Sequence, residues 1–184
     1  MTVIHKLGME GYDRVRPILA GLAELHLNLI AILDGTCPGT IYVDDVTQPQ
    51  TAYVISWGAH YLAGVADHQA FNAALNVALP RDTYFVLFCD PDRCGDALDV
   101  VLKDTYAIRA TRRYYTLRQL EFANWQVRVP NGFSMQRVDS GLLARNLKNR
   151  EVVVEGILDG WLTVESFLEQ GFGSCVVHEA EIVS

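Results

Sequence analysis

The run Tyr84-Phe85-Val86-Leu87-Phe88-Cys89 has no charged residue and alternates with nothing polar. A strand of that kind has no face to give to water, so it belongs to a sheet covered on both sides. The neighbouring stretches supply the cover. Upstream, Phe71, Ala74, Leu75 and Ala78 recur at helical spacing in residues 68–79, and Asp67 is placed to cap that helix. Downstream, Asp90-Pro91-Asp92 starts a helix with Ala97, Leu98, Val101 and Leu102 inward. An apolar strand between two amphipathic helices predicts an α/β fold.

The rest of the chain fits that frame. Val15, Ile18, Leu19, Leu22 and Leu25 predict one helix over residues 12–33, with Pro17 in its first turn and Gly35 as its stop. Residues 39–56, GTIYVDDVTQPQTAYVIS, read as strand, polar turn and strand. Residues 60–66 predict a third strand, and 106–117 a long one containing Arg109, Arg112 and Arg113. A meander followed by crossovers gives a mixed, mostly antiparallel sheet flanked by helices.

After Trp125 the pattern restarts. Pro130-Asn131-Gly132 signals a turn, and residues 134–138 a short strand. Asp139 or Ser140 caps a helix with Leu142, Leu143 and Leu147; Asp159 caps another with Trp161, Val164, Phe167 and Leu168, closed by Gly171. Two short strands follow, around Cys175–His178 and Ile182–Ser184. This second stretch echoes the first. Ile32-Leu33-Asp34 answers to Phe167-Leu168-Glu169, Gly39 to Gly173, and Ala52-Tyr-Val-Ile-Ser56 to Ala180-Glu-Ile-Val-Ser184. Two related halves are expected, residues 1–126 and 127–184.

This element order, with the phrases GTIYVDDVTQPQTAYVIS and EQGFGSCVVHEAEIVS, resembles the GNAT acetyltransferase superfamily. It is similar to a bacterial subgroup in which a degenerate GNAT-like amino-terminal half precedes a catalytic one. The resemblance implies acetyl transfer from acetyl-CoA to a small-molecule or peptide amine, with no metal. The amine attacks the thioester directly, while the protein supplies position, a base and donors to the oxyanion. The family holds the CoA pyrophosphate on an Arg/Gln-x-x-Gly-x-Gly/Ala loop opening a helix, where bare amides meet phosphate. Between Ala66 and Phe71 this chain has Asp67-His68-Gln69-Ala70, without glycine or arginine. In the second half the loop is expected beyond Ser184, and Gln170-Gly171-Phe172-Gly173 leads into a strand as an ordinary helix stop. The expectation is a GNAT-type chain lacking the CoA-binding part. A non-catalytic interaction or sensing domain of the same fold is the alternative, and a nucleic-acid-binding protein a third.

Site candidates are few. Asp44 and Asp45 are adjacent, so on a strand they point to opposite faces; they read as a hairpin corner. His178 and Glu179 occupy the corresponding turn of the second half, where the resemblance implies that strand ends approach the acceptor, so both are expected to face substrate. Arg109, Arg112, Arg113 and Arg118 mix with Tyr114 and Tyr115 in a pattern also seen in nucleic-acid binders, but a strand divides them between two faces. A net charge of −7 makes nucleic acid an improbable partner. Cys37, Cys89, Cys94 and Cys175 form no CxxC pair, which predicts reduced thiols in a cytoplasmic protein and no metal site. No apolar run approaches the ~20 residues of a membrane span.

Overall fold

The computed structural model describes residues 4–119 and 128–184. They form two compact units, Met1–Arg113 and Tyr114–Ser184. Trp125 lies outside the described residues.

Unit 1 opens with β1 (His5–Lys6), a short 3-10 helix, α1 (Tyr12–Ala23) and α2 (Leu27–Leu33). Strands β2 (Thr40–Val43), β3 (Thr51–Ser56) and β4 (Ala59–Gly64) follow, then α3 (Gln69–Ala78), β5 (Val86–Cys89) and α4 (Pro91–Val101). The sheet order is β1-β2-β3-β4-β5. The first four strands are antiparallel neighbours and β5 is parallel to β4, with α3 as the crossover. Ile41, Val43, Val54 and Tyr61 face a core shared with Val15, Leu19, Leu29 and Ile32 of α1 and α2. Tyr53 and Leu62 face the other way, onto Phe71 and Leu75 of α3 and Val101 of α4. The sheet is therefore covered on both faces, but the apolar run 84–89 is not fully buried: Tyr84 lies outside β5 and is exposed. β5 itself is only half-buried because it is the sheet's edge.

Four local expectations change. The helix over 12–33 is two helices, because His26 is extended at φ −132° and ψ 92°. Leu25, expected inward, falls in the break and is exposed, and Pro17 lies inside α1 rather than in its first turn. The strand over 106–117 is absent: residues 106–119 form no helix or strand, since no neighbour among the described residues pairs with them.

Unit 2 contains β6 (Phe133–Arg137), α5 (Ser140–Leu143), α6 (Arg150–Gly160), α7 (Val164–Gln170), β7 (Ser174–His178) and β8 (Glu181–Ile182). Its sheet is antiparallel in the order β6-β7-β8. Val138, Leu142, Ile157, Phe167, Cys175, Val177 and Ile182 make its core. Asp139 caps α5 as expected, accepting from the Leu142 amide at 2.8 Å. Asp159 does not cap α7; it lies inside α6, and Thr163 accepts from the Ser166 amide instead at 3.1 Å. In both units a glycine after a helix sits under a large side chain of that helix. A Cβ on Gly39 would come within 2.8 Å of Ile32, and one on Gly173 within 3.1 Å of Phe167.

Unit 1 also buries ionisable groups. The Tyr53 hydroxyl is hydrogen-bonded to His60 Nδ1, and the His60 ring stacks on Phe85 at 4.2 Å. Burial pushes the Tyr53 hydroxyl up and the His60 imidazole down. Burial, then the Arg112 charge, also lowers His26. Both histidines therefore bind protons less readily when folded than when unfolded. Their stabilisation is fully present above the unfolded value of about 6.5 and falls on acidification toward their lowered folded values. The urea midpoint is expected to drop between pH 7.5 and 5, with a flatter profile in His60→Gln; equal slopes would remove His60 from the account.

Candidate functional site

Asp44 follows β2 and is built into the turn. Its Oδ1 accepts from the Gln50 amide at 2.9 Å and the Thr51 amide at 3.1 Å. Its Oδ2 lies 3.5 Å from His68 Nε2, and its side chain is 7% exposed. Asp45 accepts from the Thr47 and Gln48 amides at 2.6 and 2.9 Å, which hold its carboxyl below the usual range. Both aspartates are spent on backbone donors, as a hairpin corner requires.

His68 joins this corner to α3. Its Nδ1 accepts from the Phe71 amide at 3.3 Å, so the proton of a neutral ring belongs on Nε2, facing Asp44. Sequence reasoning placed the cap at Asp67; the cap is His68, and Asp67 is exposed beside it. Asn72 closes the loop by donating to the Ala66 carbonyl at 2.8 Å. A pyrophosphate at this helix start needs free amides, room and positive charge. Here the Phe71 amide is taken, Asp44 and Asp67 bring negative charge, and no glycine lies between Ala66 and Phe71. These residues do not fit the CoA pyrophosphate.

The β7–β8 hairpin of unit 2 is different. His178 pairs with Phe133 across the sheet, and their rings stack at 4.4 Å and 25°. Gly132, at φ +86°, lets the backbone pass close: a Cβ there would come within 3.3 Å of His178 Nε2. Glu179 turns the chain at φ +54°, in the left-handed region. Glu181 accepts from Lys148 Nζ at 2.8 Å and Asn149 Nδ2 at 3.1 Å, and Lys148 holds its carboxyl below the usual range. Glu179 is exposed and forms no ion pair among the described residues. One end of this sheet thus presents an aromatic ring, an imidazole and an unspent carboxylate. Phe133 was missed from sequence, because only the register of β6 against β7 brings it to His178.

A cavity of about 290 Å³ lies at the other end of β6, lined by Arg137, Val138, Asp139, Ser140, Leu168 and Gly171. Its carboxylate is already used as the α5 cap. The stretch Gln170–Gly173 runs from α7 into β7, and Gly171 ends the helix by donating to the Phe167 carbonyl at 2.7 Å. Arg112 sits over the Phe88 ring at 4.7 Å. Cys37, Cys89 and Cys175 are in no disulfide, and burial pushes the Cys37 and Cys175 thiols up, away from the reactive thiolate. Among the described residues no cluster of His, Cys, Asp or Glu could hold a metal, and no helix is long and apolar enough to cross a membrane.

Comparison with known proteins agrees on one family. The model of the family described as GNAT acetyltransferase matches residues 22–184. The chain is 26% identical over 189 residues to YdfB of Bacillus subtilis, an uncharacterized N-acetyltransferase, covering 100% of this chain and 70% of that protein. Its fold matches the crystal structure of a GCN5-related N-acetyltransferase-like protein from Streptococcus suis with a TM-score of 0.61. The identity is 25%, over 96% of this chain and 70% of the other.

Proposed function

The chain belongs to the GNAT acetyltransferase family, and on that premise we propose that it serves acetyl transfer from acetyl-CoA to a small-molecule or peptide amine. The match over residues 22–184 carries this reading. Residues 1–126 then make the degenerate GNAT-like half, which does not hold the CoA pyrophosphate in the family's usual way. The occupied start of α3 supports this, and it also favours a non-catalytic role for that half. Residues 127–184 then belong to a second GNAT-like half, and Gly39 under Ile32 and Gly173 under Phe167 support the repetition. Cysteines outside any disulfide suit a cytoplasmic setting.

The acceptor is assigned to the Phe133–His178–Glu179 end of unit 2. Glu179 meets the ammonium form by charge, Phe133 offers an apolar wall, and His178 is placed to receive the proton an amine must lose before attack. The test is acetylated product formed by the chain from acetyl-CoA and a panel of primary amines. Glu179→Gln is expected to raise KM for the amine about fivefold, the loss of one exposed charge pair, with kcat little changed. Absence of amine-dependent product points to the non-catalytic reading, and an unchanged KM removes Glu179 from the acceptor site.

A further inference from the structure

Residues 106–113, Tyr-Ala-Ile-Arg-Ala-Thr-Arg-Arg, have strand composition but no sheet. We propose that this segment docks an acidic, extended peptide of another protein, which adds to it as a strand.

Every residue of the segment is exposed, and among the described residues no backbone hydrogen bond reaches it. Its amides and carbonyls are therefore available to a partner backbone. The segment holds three arginines and no acid. Arg112 is anchored on Phe88 of the edge strand β5, while Arg109 and Arg113 make no ion pair among the described residues. Tyr106 and Ile108 are 94% and 76% exposed, giving apolar contacts ahead of the charges.

Charge selects the occupant. A second copy would set arginines opposite arginines across the new strand pair, which is unfavourable. A long polyanion without a peptide backbone would leave the free amides unused. A short peptide with alternating carboxylates uses both the arginines and the backbone. This inference does not depend on acetyl transfer.

The probe is a fluorescent ten-residue peptide alternating glutamate with valine and threonine, titrated against the full chain by anisotropy. Saturable binding is expected. It should weaken about tenfold in Arg109→Ala/Arg113→Ala, the loss of two exposed charge pairs. It should weaken by a similar factor when alternate peptide amides are N-methylated, which keeps charge but removes donors. Both side chains are exposed, so an unchanged melting temperature in the double variant is the folding control. No saturable binding, or equal binding of the methylated peptide, overturns the proposal. Tighter binding of an oligouridine, or self-association of the chain lost in Thr111→Pro, also overturns it by naming a different occupant.

Discussion

Replacing Gly64 by valine is expected to destabilise unit 1 by about 3–5 kcal/mol. Gly64 ends β4 at φ +106°, where a β-branched side chain is strained. Its added Cβ would stand 2.1 Å from the Gln50 carbonyl oxygen and 2.7 Å from Thr51 Cα. Neither is the end of a flexible side chain. Thr51 is the ladder partner of Gly64, and the Val65 amide donates to the same Gln50 carbonyl at 3.1 Å, so the strands cannot part without losing both. A loss of this size is a large fraction of the stability of a small domain. The measurement is the urea midpoint at unchanged m value. A loss below ~1 kcal/mol would mean that the two backbones do not approach so closely.

Asp44→Ala is expected to cost about 2–4 kcal/mol, because it strips the partner from two backbone donors, one belonging to a buried residue. It also removes the group that faces His68 Nε2. Asp44→Asn keeps one oxygen for the Gln50 and Thr51 amides and should cost about 1 kcal/mol, the ordinary value of the lost charge assistance. Equal effects of the two substitutions would show that the charge, not the amide cap, is what matters. Little effect of either would contradict the assignment of Asp44 as the internal tie of the turn.

The elements legible in the sequence were those whose pattern is local. Residues 39–56 alternate, break at a polar turn and alternate again, and they form β2 and β3 as read. The same phrases pointed to the family that the comparison with residues 22–184 then matched. What the sequence hid depends on partners distant in the chain. Residues 106–117 have strand propensity, but a strand needs a neighbour and none of the described residues supplies one. Asp67 is the better cap by residue type, yet Asp44 draws His68 into that role from another part of unit 1. Asp159 has the right type for a cap but lies within α6, a helix that apolar spacing alone did not separate from its neighbours. The Phe133–His178 stack follows from strand register, which no local pattern encodes.

The start of α3 is satisfied from within by His68 and Asp44. The most direct measurement is the amide resonances of Asp67, Phe71 and Asn72 as acetyl-CoA is added to the chain. With the Phe71 amide bonded to His68 Nδ1 and two carboxylates nearby, these resonances should stay in place up to millimolar acetyl-CoA. A saturable shift of the Phe71 amide at micromolar acetyl-CoA would contradict the account and make unit 1 a cofactor site.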